Sequence, residues 1–563
     1  MNKTIVKRLE ELKVSLAEEE SILSASQSLN YIAAKSLGID PSAIEDIKII
    51  KKSLDLRHKH QPYFVYCLDI HITDKKYINK KLSKLKTITS EPILNIEGKS
   101  GNGRRLRYPP LIIGAGPAGL FAALILAENG YSPILLERGQ HLSRRQLAVA
   151  DFWHSGRFCD DSNVQFGEGG AGAFSDGKLT FRGKDPLAKL VINRLINFGA
   201  DPAIAYWHRP HIGSDRLIEV VGNISANITA CGGSMIFSAR LDDISGNNSL
   251  QEVSISAAKH TSLPAEALVL AVGNGARDTY QMLCQHGLAI ENKPFAVGLR
   301  ICHRQKLIND VAYGGIVSPA LSATDYRLTY QDQPGGRGVY SFCVCPGGYI
   351  INASGERDSV VVNGMSYAAR DSNFINSAVV VTVGASDFGS EPLAAMEWQR
   401  KLEQRAFTLA GGSYFIPVSS GEEFLAGSGG GAINQELLKI KSVGTKAVNL
   451  RELLPESIAD SIAAALKKWE NSIPGFVSQG VLAGVETRTS APLRILRGQD
   501  GQSLNMSGVF PAGEGAGYAG GIVSSAVDGL RAAQALMEIY QPAAADAVCD
   551  YKAIIAKAIT NSY

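Results

Sequence analysis

The sequence predicts an α/β protein: a Rossmann-like nucleotide-binding domain, interrupted by an inserted α+β domain and preceded by a small α+β domain of ferredoxin-like type. Three observations predict it. The stretch Leu111-Ile-Ile-Gly-Ala-Gly-Pro-Ala-Gly119 carries a GxGxxG turn, with acidic Glu137 about twenty positions on. A second glycine-dense turn, Gly508-Val-Phe-Pro-Ala-Gly-Glu-Gly-Ala-Gly-Tyr-Ala-Gly-Gly521, lies close to the C-terminus. Residues 1–99 alternate helical and extended patterns and run into the polar stretch Gly98-Lys-Ser-Gly-Asn-Gly103. The expected domains are 1–107, 108–280, 281–475 and 476–563, with the second and fourth completing one nucleotide fold.

In the N-terminal part, Ile5, Leu9, Leu12 and Leu16 recur at helical spacing, giving a charged, amphipathic helical pattern. Ala33 to Leu37 reads as helix, Ile47 to Leu56 and Tyr63 to Ile72 as extended, and Ile78 to Lys86 as helix. From Lys51 to Arg107 there are 14 Lys and Arg against 5 Asp and Glu, about +9 in one stretch. A ferredoxin-like sheet with basic edges can bind RNA. A solvated face or a subunit contact is the favoured reading, because the stretch lacks an RNA-stacking motif.

The first glycine turn reads as strand, turn, helix. Leu111 to Ile113 is a short apolar run, as in a buried parallel strand. Gly114 permits the tight turn, Gly116 lets backbone approach a pyrophosphate, and Gly119 allows close helix–strand packing. Pro117 and Ala118 open the helix, whose N-terminus offers free N–H groups to phosphates. Leu120, Phe121, Leu124 and Ile125 form its apolar face, and Gly130 marks its end. Ser132 to Leu136 is the next strand, and Glu137 at its tip can accept from ribose hydroxyls, with Arg138 beside it.

The middle of the chain supplies further candidates. The Gly167-to-Gly177 loop brings Gly170 and Ala171, and Leu268 to Val272 is a strand that re-enters the fold at Ala271 and turns at Gly273. Extended runs Val360-Val-Val-Asn363 and Ala378-Val-Val-Val-Thr-Val383 mark the inserted domain. No second GxGxxG follows a strand, so NAD(P)H or another electron donor would lack a dedicated domain.

The second glycine turn is what a nicotinamide-only domain lacks. Val509 and Phe510 end a strand, Gly513 and Glu514 form a Gly-Glu-Gly turn, and a helix starts at Gly521 and Ile522. Its N-terminal dipole would favour negative charge on a reduced flavin. The two turns, in this order, describe a fold that opens and closes around a long dinucleotide such as FAD.

Several stretches resemble the bacterial FAD-dependent dehydrogenases, labelled NAD(FAD)-utilising, of the glutathione-reductase-like superfamily. They are Asn163-Val-Gln-Phe-Gly-Glu-Gly-Gly-Ala-Gly-Ala-Phe-Ser-Asp-Gly-Lys-Leu179, Leu268-Val-Leu-Ala-Val-Gly-Asn-Gly-Ala-Arg-Asp-Thr279 and Lys293-Pro-Phe-Ala-Val-Gly-Leu-Arg300. Phe342-Cys-Val-Cys-Pro-Gly-Gly348, Val485-Glu-Thr-Arg-Thr-Ser490 and Pro492-Leu-Arg-Ile495 continue the likeness. The resemblance implies bound FAD and redox chemistry, and adenine meeting backbone at Arg240 and Leu241. The chain departs from the pattern at Asn274-Gly275, where His-Ser is expected, and at Cys302, where an acidic residue is expected.

Composition narrows the class. At 563 residues the chain exceeds one core, and its net charge of +3 implies no bulk polyanion binding. No apolar run approaches the ~20 residues of a membrane span, and no secretory signal pattern opens the chain. Eight scattered cysteines fit a reduced, cytoplasmic protein. Cys343-Val-Cys345 reads as a packed pair rather than a redox couple, since no Lys, Arg or His lies between Tyr340 and Ile351 to lower a thiol pKa. No spacing suits a metal. His208, His211, Tyr313, Arg327 and Tyr330 are possible substrate contacts, and no catalytic residue is assigned. The expected function is an FAD-dependent oxidoreductase exchanging hydride between a small-molecule substrate and flavin N5. An RNA-binding or RNA-modifying flavoprotein and a non-catalytic flavin-bound scaffold or sensor stay open.

Overall fold

The computed structural model describes residues 5–57, 61–73, 77–89, 96, 103–181, 185–331 and 336–559. The chain forms two compact units: Met1–Asn95 with Asp201–His211 and Gln305–Thr324, and Ile96–Ala200 with Ile212–Arg304 and Asp325–Tyr563. Of the expected polar stretch Gly98 to Gly103, all but Gly103 lies outside the described residues.

The first unit holds a four-stranded antiparallel sheet in the order Ile44–Asp55, Tyr63–Ile72, Ile5–Ser15, Lys86–Thr87. The expected N-terminal helix is therefore corrected to a strand. Its register shifts between Leu9 and Leu12. A bulge of this kind breaks the two-residue alternation, so the apolar residues fall at helix-like intervals. Helix begins only at Leu16, where Ser15 and Glu18 form a reciprocal capping box. A second helix covers Leu29–Leu37 and includes the expected Ala33 to Leu37. The helix expected over Ile78 to Lys86 shrinks to Lys80–Ser83, with Leu82 as its one buried residue, because Lys86 and Thr87 pair with the first strand. Leu12, Val14, Ile32, Leu37, Phe64 and Leu68 form the core, and Trp207 and Ala320 from the later segments pack on it.

Lys52 fastens one of those segments. Its amide donates to the Tyr206 carbonyl at 2.8 Å and its carbonyl accepts from His208 at 3.0 Å. Its ammonium pairs with Glu19 at 2.5 Å and sits 4.7 Å from the Trp207 ring centroid.

The second unit contains a five-stranded parallel sheet in the order Val509–Pro511, Leu268–Leu270, Leu111–Ile113, Ile134–Leu136, Ser234–Ile236. This is an α/β, Rossmann-like arrangement in which Val509–Pro511, from near the C-terminus, completes the sheet by pairing with Leu268–Leu270. The helix Pro117–Glu128 lacks the single apolar face expected of it: Ala118 through Ala127 are all buried. It is enclosed because the helices Ile522–Ile539 and Ser214–Ala230 both pack against it. At Gly529 an added Cβ would lie 2.0 Å from the Ala118 carbonyl oxygen, so two helix backbones touch there.

Beside it lies a seven-stranded sheet ordered Thr329–Gln331, Gly338–Pro346, Phe374–Val383, Phe295–Arg304, Val481–Glu486, Ile416–Ser420, Thr445–Ala447. Its central strands Phe295–Arg304 and Phe374–Val383 are almost wholly buried, and the second contains the expected extended run Ala378 to Val383. The strand expected at Val360 to Asn363 starts two residues later, at Val362–Met365, in a separate three-stranded sheet. Among the described residues, no helix is long and apolar enough to cross a membrane.

Candidate functional site

Three glycine turns converge at the C-terminal ends of the parallel strands. Gly114 has φ +102°, and a side chain there would strike the Ala271 carbonyl oxygen at 2.3 Å. Gly119 is as tight, because its added Cβ would meet the Gly114 oxygen at 1.9 Å. Gly116 faces Gly170, whose Cα lies 3.9 Å from the Gly116 Cβ position. Gly170 has φ +60° and opens the short helix Ala171–Phe174. Gly513, at φ +79°, abuts Ala118 and donates its N–H to Asp528 at 2.7 Å. A side chain at Gly172 would come into ordinary contact with Ile522 and Pro117, so the three turns adjoin one another.

Two helices present their N-termini there. Helix Pro117–Glu128 starts after Gly116 and helix Ile522–Ile539 after Gly521, and neither has a side-chain cap. Their leading N–H groups and positive dipole ends are thus left for an anionic ligand.

Glu137 is buried and is more occupied than a ribose ligand alone requires. Its carboxylate accepts from the amides of Ala115 at 2.7 Å, Gly139 at 2.8 Å and Gly167 at 2.9 Å. Three of roughly four acceptor positions are filled, so one remains for a hydroxyl. Glu137 therefore ties the first glycine turn to the Gly167 loop. Arg138 bonds Asp161 at 2.8 Å and Asp278 at 3.0 Å and lies 4.1 Å from the Phe166 ring centroid. A cavity of about 280 Å³ opens beside it, lined by Arg138, Gln140, Asp161, Ser162, Ser238 and Arg240. The Leu241 side chain points into the core, leaving only its backbone for a ligand.

The turn after Leu268–Leu270 meets the C-terminal turn. Ala271 donates to the Ile113 carbonyl at 2.9 Å, and Gly273 has φ +74°. An added Cβ at Gly515 would lie 2.6 Å from the Gly273 oxygen. Asn274, one of the departures from the family pattern, donates to Glu514 at 2.7 Å. Burial pushes the Glu514 carboxyl up to about 7, against the Asn274 bond and the Lys293 charge. It can hold or release a proton near neutrality.

The Cys343–Cys345 bulge, within the strand Gly338–Pro346, is not the apolar setting the sequence led us to expect. The register between Gly338–Pro346 and Phe374–Val383 shifts between Phe342 and Cys345, and Cys343 takes φ +44°. The Lys178 ammonium bonds the Val344 carbonyl, and buried Arg300 donates to the Cys343 carbonyl at 3.2 Å. The Cys345 thiol, with Lys178 and Arg300, holds the Cys343 thiol well below the usual range. Cys345, facing that sulfur and fully buried, is pushed up. The correction has a plain cause: the cations come from distant segments, and local sequence is blind to them. The signal available was Lys178 itself, at the end of the Ser175-Asp-Gly-Lys178 stretch.

The other candidates are divided between the two units. His208, His211 and Tyr313 belong to the first unit, where the Tyr313 hydroxyl donates to the Ser322 carbonyl at 2.7 Å. Arg327 is exposed and Tyr330 lies on the sheet-edge strand Thr329–Gln331 of the second unit.

Comparison with known proteins gives three profile matches. A domain described as "FAD binding domain" matches residues 107–150, "FAD-dependent protein, C-terminal domain-like" matches 294–489, and a domain of unknown function matches 7–71. An uncharacterised protein of Clostridium beijerinckii is 41% identical over 522 residues, 92% of this chain and 97% of that protein. A geranylgeranyl bacteriochlorophyll reductase-like structure from Thermoplasma acidophilum is 12% identical over 80% of this chain and 84% of that chain, with a TM-score of 0.34. Glycine oxidase from Geobacillus kaustophilus is 13% identical over 78% of this chain and 96% of that chain, with a TM-score of 0.33.

Proposed function

The chain belongs to the family of FAD-dependent proteins, and from that premise we propose an oxidoreductase in which a small-molecule substrate exchanges hydride with FAD held across the three glycine turns. The observation that carries this reading is the pair of uncapped helix N-termini at Gly116 and Gly521, on glycine turns that adjoin one another. A cradle of this kind suits a ligand with a pyrophosphate at one end and a ring that gains charge at the other.

In this reading Gly114, Gly116, Pro117, Ala118 and Gly119 take the pyrophosphate. Glu137, Arg138 and the Leu241 backbone take the adenosine, beside the polar cavity. Gly170, Ala171, Ala271 and Gly273 wall the middle, Gly513 and Glu514 take the ribityl chain, and Gly521 and Ile522 meet the pyrimidine edge. Bound FAD supplies a two-electron donor or acceptor at N5. The protein's part is to orient it, to favour negative charge through the Gly521 helix end, and to hold a proton at Glu514. Segments 108–280 and 476–563 would form the cofactor fold, and NAD(P)H or another donor would reach it without a domain of its own. The order Lys86–Thr87, Ile5–Ser15, Tyr63–Ile72, Ile44–Asp55, all antiparallel, supports a ferredoxin-like N-terminal domain.

The test is direct. Purified protein should be yellow and should release FAD, not FMN, on denaturation. Anaerobic mixing with candidate metabolites should then bleach the flavin absorbance for the true substrate class. Colourless protein that cannot be reconstituted with FAD would end this reading.

A further inference from the structure

The Cys343–Cys345 bulge gathers more charge than a packing irregularity needs. Arg300, with no exposed side-chain surface, bonds Glu486 at 2.8 and 2.9 Å and Asn376 at 2.7 Å besides the Cys343 carbonyl. Lys178 lies 3.4 Å from Asp176, which also accepts from Arg370 at 2.7 Å. Among the described residues, Arg300, Lys178 and Arg370 thus face Asp176 and Glu486, three cations against two carboxylates. One positive charge is left over in a largely desolvated cluster, where an uncompensated cation is costly. A thiolate at Cys343 supplies the missing charge.

Geometry orders the two sulfurs. In an unbroken strand residues two apart sit nearly 7 Å from each other, at the edge of what a disulfide spans. The register shift between Phe342 and Cys345 breaks that spacing, and the left-handed φ at Cys343 is a conformation uncommon outside glycine. The Cys345 thiol faces the Cys343 sulfur and donates to the Cys343 carbonyl at 3.3 Å. Cys343 is half-buried next to exposed Phe342, whereas Cys345 is wholly buried opposite Asn376. The amide nitrogen of Asn376 has no hydrogen-bond partner there.

We propose that Cys343 and Cys345 form a reversible dithiol–disulfide couple that reduces a small disulfide compound. The Cys343 thiolate attacks one sulfur of the substrate disulfide. Its S–S bond breaks and the first thiolate leaves, taking a proton from solvent. Cys345 then loses its proton and attacks the Cys343 sulfur, expelling the second thiol. The substrate gains two electrons and two protons as two thiols, and the protein is left with a Cys343–Cys345 disulfide. Return to the dithiol takes two electrons and two protons, which reduced FAD would furnish; that half rests on the function proposed above. Cys343 is the reacting residue, and Lys178 is a positioning residue that acts through the Val344 carbonyl and its charge.

The experiment uses the full chain, reduced, desalted anaerobically and exposed to glutathione disulfide, with thiols then alkylated and located by mass spectrometry. Cys343 and Cys345 should lose alkylation together, in a peptide lighter by two hydrogens, and regain it with dithiothreitol. Retained alkylation at both after oxidant exposure overturns the proposal. Lys178→Met, checked for fold by circular dichroism, should slow Cys343 alkylation near neutral pH by about tenfold and move its pH profile upward. An unchanged profile overturns the role given to Lys178 and with it the charge argument. The readout needs no bound flavin. A disulfide that forms in protein unable to hold FAD would sink the flavin reading and leave the couple standing, and the converse result would do the reverse.

Discussion

The Asn274 side-chain amide donates to the Glu514 carboxylate at 2.7 Å, binding the turn that follows the strand Leu268–Leu270 to the turn that precedes the last long helix. The two turns are already so close that a side chain at Gly515 would overlap Gly273. One carboxyl therefore senses the packing of both.

The protonation of that carboxyl should be visible in stability. Glu514 titrates near 4.5 when unfolded and at about 7 when folded, because burial outweighs the Asn274 bond and the Lys293 charge. The folded chain binds the extra proton between those values, so stability falls as pH rises through that window and levels off above it. The full effect is at most about 3 kcal/mol. Urea unfolding of FAD-free protein should show this slope, and Glu514→Gln should flatten it. Equal slopes in both proteins would mean that the carboxyl is solvated.

Glu137 gives a second prediction, different from what a ribose ligand alone would give. Glu137→Ala leaves the buried amides of Ala115, Gly139 and Gly167 without their acceptor. Each orphaned donor costs roughly 1–3 kcal/mol, so a loss of at least about 3 kcal/mol is expected even without cofactor. Denaturant unfolding of the FAD-free protein measures it. Unchanged stability with weaker FAD retention would assign the carboxylate to the ribose instead.

How far the sequence reveals the site depends on the range of the contacts. The strand, turn and helix around Gly114, Gly116 and Gly119 are legible because the turn is local: a side chain at Gly119 would strike the Gly114 oxygen, and one at Gly114 the turn after the adjacent strand. The helix that starts after Gly521 is legible from its glycine-dense turn and the apolar run that follows it. Partners far apart in the chain are not. Nothing local to Cys343 announces Lys178 or Arg300, and nothing local to Glu514 announces Asn274. The strand Ile5–Ser15 is hidden differently: its register shift after Leu9 gives a true strand the spacing of a helix. Glu137 is visible as an acidic tip, but its three backbone donors come from three separate turns.

Helix contact at the cofactor fold yields a paired test. Gly529→Ala would drive a methyl to 2.0 Å from the Ala118 carbonyl oxygen, forcing the helices Pro117–Glu128 and Ile522–Ile539 apart. Alanine's helix preference, about 1 kcal/mol, should not offset overpacking against rigid backbone, so a net loss of about 2 kcal/mol is expected. Gly222→Ala on the helix Ser214–Ala230 meets only the Leu142 side chain at 3.9 Å. It should be neutral or stabilising by up to about 1 kcal/mol. Thermal unfolding of both variants decides it, and equal effects would deny the backbone contact.

Gly521→Asp separates folding from flavin electrostatics. Gly521 has φ 175°, extended backbone open to any residue, and the nearest atom to an added Cβ is the Ser524 hydroxyl at 3.9 Å. An aspartate there fits without clash, and as a helix N-cap it should hold FAD-free stability level or raise it by up to about 1 kcal/mol. If this helix end faces the flavin pyrimidine edge, the same carboxylate opposes the charge that reduction adds. A penalty of about 1 kcal/mol on the reduced state lowers a two-electron potential by roughly 20 mV. The expected result is therefore a fold as stable as before with a more negative flavin potential, read by anaerobic spectrophotometric titration against a reference dye. A lower stability would contradict the open backbone at Gly521. An unchanged potential, with FAD fully retained, would place the ring away from this helix.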